Sequence, residues 1–429
     1  MIQRKATTIS SQDNTSGEAG KEDYASDEML KKSSKEVATS LQGRLDRLTP
    51  LSTTCCIYRV PQKLRKVNME AYTPRVVSIG PLHHGEEHLV AMEEHKLRYL
   101  QNFLSKSSKT LEECVEIISR EEKRARDCYM ERINMSSKEF VEMILVDGCF
   151  IIEVILGLCN TIEPGDRIYH KPWLVVDVRR DMTLLENQLP FFLLLTLYSL
   201  LAVMPVPGHQ NDYYSFLLLS VKFFQYQLQM PNSRSHEETI KNLQRRPLAT
   251  DTIRRFRLQI HVSNWTQKNE RLFDIDYRRS DGVLKIPRLR LGDKCESLLR
   301  NLIAFEQCHY RKGRYITDYI FLMEQLISTT KDVDVLVNKG IIDNWLCDNV
   351  AVTNLFNNLL INTLIGTDFH LADITKGLNE YCDGPWNRWK AALRHDYFCS
   401  PWRGASTIAA VILLLLTLIQ TIFSGMSVK

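Results

Sequence analysis

The residues most able to do chemistry in this 429-residue chain are polar side chains that interrupt apolar stretches. A buried acid among them, above all Glu186, could act as a raised-pKa acid that lines a pocket. The alternative is a hydrogen-bonded network that orients a helix in the core, and we favour that alternative. Asp147 would be costly to bury without a partner, so it and Glu306 are candidate partners of the Glu186 group. The candidates for this polar core network are Asp147, Glu186, Asn187, Gln188 and Glu306.

A histidine cluster is the weak candidate for a metal site. His84 and His88 could bind a metal together with Glu86 or Glu87. However, Gly80-Pro81 and Gly85 predict a turn there. In a turn, His84 and His88 need not lie on one face as they would in a helical metal site. We therefore favour imidazoles that cap backbone groups or pack on the core, and we expect neither a metal nor a cofactor.

Other catalytic motifs are incomplete. Cys308 and His309 are adjacent, which rarely allows the hydrogen bond that activates a thiol. His236-Glu237-Glu238 begins like a zinc-protease helix, but Ile240 stands where the second histidine is needed. Neither G-x-S-x-G nor a Walker A sequence occurs. We assign no catalytic residue, and an uncharacterised hydrolase is kept as an alternative.

A basic run offers a candidate contact face for anionic lipid or an acidic partner, with a solvated face as the alternative. Its members are Arg245, Arg246, Arg254, Arg255 and Arg257. The whole chain has a net charge of only +4, which gives no case for nucleic acid as a partner.

The segment from Ala405 to Phe423 contains no charged residue. As a helix it would span roughly 28 Å, at about 1.5 Å per residue, close to the roughly 30 Å of a bilayer core. It is predicted to be a transmembrane helix, with residues 424–429 as a short tail. A second apolar stretch, Leu189–Val206, is interpreted as buried core because Pro190 and Pro205 shorten it.

The flanking residues predict the orientation of this membrane span. Lys390, Arg394 and Arg403 precede it and only Lys429 follows, which favours a body in the cytosol. The first 50 residues contain no signal-peptide pattern. The eleven cysteines contain no C-x-x-C pair, as is typical of reduced thiols. Three sequons, at Asn14, Asn134 and Asn264, would matter only if the body were lumenal.

The periodicity predicts a mainly α body with a few short strands and one β-hairpin, in the α+β class. Residues 1–50 are polar and are predicted to be disordered, and residues 51–400 form the helical domain. Ile57–Val60 and Arg75–Ile79 are predicted to pair as strands, and Arg271–Leu291 to form the hairpin. The expected helices are Leu89–Leu104, Phe140–Leu158, Cys295–His309, Tyr315–Ser328, Val333–Lys339 and Trp345–Thr363.

Several sequence blocks resemble the plant family called domain of unknown function 247. The chain opens with IYRVPQKLRKVNMEAYTPRVVSIGPLHHG and continues with FVEMILVDGCFIIEVI, DMTLLENQLPFF, LLRNLIAFEQCHY and DVDVLVNKGIIDNWL. The HDYFCSPWRGASTIAAVILLLLTLIQT tail also resembles that family. The order of the blocks agrees with the family over residues 50–425. One block departs: LATDTIRRFRLQIHV lacks the usual glycine and gains arginines.

The resemblance implies a single-pass plant protein without an agreed biochemical activity. Some grass members are implicated as pollen-side determinants of self-incompatibility, which favours recognition or signalling over catalysis. We expect a tail-anchored membrane protein whose cytosolic body binds an unidentified protein. A recognition determinant with its body outside the cytosol is the main alternative. The sequence defines neither the oligomeric state nor the membrane, whether plasma membrane or endomembrane.

Overall fold

The computed structural model describes residues 19–46, 52–157, 166–201, 212–224, 275–279, 283–366, 368–383, 385 and 401–426. By their contacts the residues fall into two units, one up to Thr53 and one from Thr54 onward. The first unit contains α1 (Ala19–Leu45), a helix whose described side chains are exposed. The sequence predicts disorder for residues 1–50, and the part of that stretch from Ala19 to Leu45 is described as a helix, which fits its many strong helix formers such as Ala, Lys, Glu, Met and Leu. Residues 1–18 lie outside the described residues.

The second unit is mainly helical, as predicted. Its elements up to residue 224 are α2 (Gln62–Arg65), α3 (Glu93–Lys106), α4 (Leu111–Arg126), α5 (Ser137–Gly157), α6 (Pro172–Asp181), α7 (Phe191–Tyr198) and α8 (Asp212–Phe224). Two 3₁₀ turns, Glu70–Tyr72 and Glu87–Met92, lie among them.

The later elements are β1 (Asp276–Arg278), β2 (Val283–Lys285), β3 (Leu289–Leu291), α9 (Cys295–His309), α10 (Tyr315–Leu326), α11 (Thr330–Asn338), β4 (Ile342–Asn344), α12 (Asn349–Leu359), α13 (Ala372–Asp383) and α14 (Pro401–Met426). Strands β1 and β2 pair antiparallel, with Asp276 opposite Lys285, which confirms the hairpin. Its predicted turn, 280–282, lies outside the described residues. Strands β3 and β4 pair parallel, with Leu289 opposite Ile342.

Helix α5 lies at the centre of the main core, as its apolar sequence predicts. It is buried on nearly every side from Phe140 to Leu156 and contacts α3, α4, α7 and α8. Gly148 allows the close approach of α7, because a Cβ there would lie 2.4 Å from a methyl carbon of Leu197. Leu193 and Leu197 of α7 are fully buried, so this stretch is core, as predicted. Residues 202–211 are not described.

Two local predictions were wrong. Arg75–Ile79 forms no strand; Ile57 instead makes a β-bridge with Tyr129. The helix expected from Trp345 begins only at Asn349, because the Asp348 side chain accepts a hydrogen bond from the amide of Ala351 and caps the helix there.

Helix α14 contains an apolar stretch, Ala405–Phe423, that is long enough to cross a membrane. Large side chains along it are exposed, among them Leu413 and Leu414 at 62% and 70%. The exposure distinguishes this helix from α5, which is also apolar but lies within the core. Of the helices described, it alone meets the length and composition of a membrane span.

Candidate functional site

Three of the predicted polar residues, Asp147, Glu186 and Asn187, bond residues 57–80, which we call the N-terminal segment. Asn187 is 1% exposed, and its side-chain amide both accepts a hydrogen bond from the backbone of this segment and donates one to it. Its Oδ1 accepts from the amide of Ile79 at 2.6 Å, and its Nδ2 donates to the carbonyl of Val77 at 2.9 Å. Asn187 thus supplies the hydrogen bonds that a neighbouring strand would otherwise provide.

Asp181, at the end of α6, forms hydrogen bonds with the residues just before Ile79. Its Oδ2 accepts from the amides of Arg75, Val76 and Val77 at 2.9, 2.8 and 3.1 Å. Burial raises the pKa of Asp181, although these three amides and the neighbouring Arg180 act against that. The missing strand pairing of Arg75–Ile79 is therefore replaced by side-chain acceptors from α6 and from the loop before α7.

Asp147, in the middle of α5, continues the same pattern. Its Oδ2 accepts from the amide of Gly80 at 2.8 Å, and its Oδ1 accepts from the Lys96 ammonium at 2.7 Å. Lys96 is fully buried and also donates to Glu93 at 2.7 Å. Burial alone lowers the pKa of Lys96, but the two carboxylates outweigh it and raise the pKa, so this lysine is held charged.

Glu186 is fully buried, and four groups lie within 4 Å of its carboxylate, although its Oε2 makes no hydrogen bond within the described residues. Its Oε1 accepts from the amide of Val60 and from Arg65, both at 2.6 Å. Its Oε2 lies 3.2 Å from Nε2 of His83 and 3.7 Å from Arg59. Burial acts to raise the pKa of Glu186, but His83, Arg65 and the Val60 amide lower it below its ordinary value. This direction is opposite to that of the raised-pKa acid considered from the sequence.

The side chains of Gln188 and Glu306 form their hydrogen bonds outside the N-terminal segment. The Gln188 side chain donates to the carbonyls of Met182 and Leu184, both at 2.8 Å. Glu306 accepts from the amides of Ile316 and Thr317, both at 2.8 Å, and so caps the start of α10. Burial raises the pKa of Glu306 despite these bonds. Asp147 and Glu306, predicted as partners of Glu186, each have separate partners.

Sequence reasoning missed several members of this arrangement. Arg180 is 1% exposed and donates to the carbonyls of Thr73 and Glu70. Asn301 of α9 accepts from the amide of Leu185 at 2.9 Å and donates to the carbonyl of Ala71 at 2.8 Å. A signal existed for Asn301, which is a polar residue inside the apolar block LLRNLIAFEQCHY, whereas Arg180 lies among the charged residues Arg179 and Asp181, where local pattern gives no such signal. We call the following set the buried polar network: Lys96, Asp147, Arg180, Asp181, Glu186, Asn187 and Asn301.

The histidines do not gather into a metal centre. His84 is exposed, and Nε2 of His88 lies 3.1 Å from the carbonyl of Pro74. The buried histidine is instead His83, whose Nδ1 lies 2.6 Å from Glu86 while its other nitrogen faces Glu186. Among the residues described, no three His, Cys, Asp or Glu side chains are placed to hold a metal ion together.

The Cys308-His309 pair does not resemble an activated nucleophile. Burial raises the pKa of Cys308 to about 11, with Glu186 and Cys55 adding to the effect. His309 stacks on Phe305 with ring centroids 4.9 Å apart, and its Nδ1 lies 2.8 Å from the Tyr58 hydroxyl. Because the thiolate is the reactive form, a thiol with this pKa is a weak nucleophile at neutral pH.

The basic residues at 245–257 and the zinc-protease-like His236 lie outside the described residues. The structure therefore gives no geometry for the candidate basic contact face of Arg245, Arg246, Arg254, Arg255 and Arg257. The sequon Asn134-Met135-Ser136 is described, and Asn134 is exposed just before α5.

Taken together, these features define a mainly helical protein whose buried polar groups bind its own N-terminal segment and whose C-terminal helix suits a membrane. The profile of a plant protein family of unknown function, domain of unknown function 247, matches residues 57–264 and 252–416. The chain belongs to that family. The arginine-containing block that departs from the family pattern lies where the two matched stretches meet.

Two relatives from Arabidopsis thaliana extend over most of the chain. The UPF0481 protein At3g47200 is 32% identical over 418 residues, which cover 86% of each chain. The putative UPF0481 protein At3g02645 is 21% identical over 495 residues, covering 90% of this chain and 93% of the relative. No solved structure matches the chain.

Proposed function

We propose that this protein is a single-pass membrane protein whose helical body binds another protein in recognition or signalling. The observation that carries the proposal is the exposed, uncharged stretch Ala405–Phe423 at the end of a folded body. In water, so many adjacent apolar side chains would be unfavourable to expose, whereas a bilayer would cover them.

A binding role is favoured over catalysis by the way the acids of the body are used. Asp147 and Glu186 bind cations and backbone amides of the N-terminal segment, and Glu306 caps a helix. Glu186 has a lowered pKa, which suits an ionised structural carboxylate better than a proton donor. An uncharacterised hydrolase would need reactive groups other than these.

We place the body in the cytosol. Lys390, Arg394 and Arg403 lie before the span, and cytosolic loops carry the excess of positive charge. The eight cysteines in the described parts of the chain form no disulfide, and several of them are buried, as expected in a reducing compartment. The alternative is a recognition determinant of the self-incompatibility type, with its body outside the cytosol.

The exposed sequon at Asn134 separates these two topologies. In sealed microsomes from plant cells, we expect added protease to digest the body of the full-length protein. We also expect endoglycosidase to leave its mobility unchanged, because a cytosolic Asn134 meets no glycosyltransferase. A protected body, with a glycan that disappears in the Asn134→Gln variant, would overturn the cytosolic placement.

The same microsomes test the binding role. A chemical crosslinker added before solubilisation is expected to give a discrete adduct between the chain and a second protein. If the chain is recovered without any crosslinked protein, whichever side the body faces, the binding proposal fails while the membrane assignment stands.

A further inference from the structure

The loop between α9 and α10 forms a cationic pocket that the buried polar network does not use. The pocket has a volume of about 230 Å³ and is lined by Arg311, Lys312, Gly313, Arg314, Asp318, Gly366 and Asp368. Gly313 has φ of +75°, a left-handed conformation that lets three cationic residues lie on one tight turn.

The carboxylates of the pocket are already engaged. Asp318 accepts from both the amide and the ring Nδ1 of His370, at 2.9 and 2.7 Å. Asp368 lies 3.3 Å from Lys312. Two guanidinium groups are therefore not neutralised by these acids, and the pocket keeps an excess of positive charge.

Arg314 is fixed in place, whereas Arg311 is exposed. The Arg314 guanidinium donates to the carbonyls of Tyr310 and Leu364, at 3.3 and 2.9 Å, which orients it without offsetting its charge. Arg311 is exposed and has no ion-pair partner in the part of the chain that the structure describes. One preorganised and one adaptable guanidinium suit an anion with several acceptor oxygens.

Two backbone amides in the first turn of α10, those of Ile316 and Thr317, are already bonded within the protein, where Glu306 accepts from both. Recognition therefore relies on the side chains, and the positive charge of Arg311, Lys312 and Arg314 favours an oxyanion over an apolar ligand. Exposed apolar side chains are neighbours of the lining residues in sequence: Tyr315 at the start of α10, and Leu364 and Ile365 just before Gly366, at 58%, 62% and 46% exposure.

We propose that this pocket binds a phosphate group. The phosphate belongs either to a lipid headgroup or to a soluble phosphate compound. A lipid source is within reach of the chain by length alone, because residues 369–404 between the pocket and the membrane-spanning stretch could extend on the order of 100 Å. The proposal does not depend on the identity of a protein partner.

The test uses the full chain in phosphatidylcholine nanodiscs, with hydrogen exchange of the peptide around 308–316 as readout. One arm adds inorganic phosphate, and the other replaces part of the lipid with phosphatidylinositol 4-phosphate. We expect slower exchange in at least one arm, and the arm that responds identifies the source. The concentration needed is expected to rise about tenfold or more in the Arg311→Gln/Lys312→Gln variant, since each charge-assisted bond contributes on the order of a tenfold change in affinity.

This double variant is expected to fold, because both side chains are exposed and neither bonds the backbone in the structure. Arg98→Gln, at an exposed helical ion pair with Glu94, is the control and should respond like the wild type. The proposal is overturned if neither arm slows exchange in the wild type, or if the double variant responds at the same concentrations.

Discussion

Replacing both Leu413 and Leu416 with arginine is expected to release the protein from membranes. Both residues lie near the middle of Ala405–Phe423 and are exposed, at 62% and 55%. An arginine at the centre of a membrane helix costs about 2.5–3.5 kcal/mol on insertion scales, so two together oppose insertion by roughly 6 kcal/mol. Alkaline extraction of microsomes measures the result, and most of the variant should appear in the supernatant.

The matched control is Leu413→Ala/Leu416→Ala, which shortens the same side chains without adding charge. This control should stay in the membrane pellet together with the wild-type protein. If the arginine variant stays in the alkaline pellet to the same extent as the alanine variant, another part of the chain anchors the protein in the membrane.

Lys96→Met is expected to have the second large effect, a decrease in the free energy of unfolding. The substitution leaves Asp147, itself 1% exposed, as a buried carboxylate without its cation. Breaking a buried ion pair in this way typically costs about 3–5 kcal/mol, a large share of a domain's stability. Urea unfolding of the detergent-solubilised full chain, followed by pulse proteolysis, measures the loss.

Two comparisons make this result specific. Adding Asp147→Asn to Lys96→Met should recover part of the loss, because the amide oxygen can still accept from Gly80 and no fully buried charge remains; Glu93, the other partner of Lys96, is partly exposed. Arg98→Met removes the cation of an exposed pair, with side chains 58% and 76% exposed, and should cost under about 1 kcal/mol. Equal losses for Lys96→Met and Arg98→Met would contradict the buried pair.

The elements that the sequence predicted well are those defined by local pattern. Helix α5 follows from its apolar stretch, and the sequence Ser136-Ser137-Lys138-Glu139 at its start forms a capping box in which Ser136 and Glu139 bond each other's backbone amides. Helix α9 has the predicted bounds, and the hairpin of β1 and β2 follows from alternation around a turn. In these elements, residues close together in sequence both form the recognisable pattern and make the contacts that define the helix or hairpin.

The N-terminal segment was predicted less well because its partners are remote in sequence. Arg75–Ile79 has the composition of a strand, yet Asp181 and Asn187, more than a hundred residues away, bind its amides. The polar core candidates Asp147, Glu186 and Asn187 could be recognised, because each interrupts an apolar stretch. Their individual partners, such as Val60 for Glu186, could not be derived from local periodicity.

We infer that Glu186 is an ionised structural carboxylate rather than a catalytic acid. Its lowered pKa means that it stabilises the fold above its ordinary pKa of 4.5, and that this contribution is lost as the pH falls through the lower folded value. Glu186→Gln removes the charge that Arg65 and His83 face, at an expected cost of about 3 kcal/mol near neutral pH.

The most direct measurement is the unfolding free energy of the wild type and Glu186→Gln across a pH series. We predict a constant gap at neutral pH that narrows as the pH falls below 4.5, where the wild-type carboxylate becomes protonated and resembles the glutamine. Equal stability of the two proteins near neutral pH would contradict the claim, as would a gap that widens on acidification.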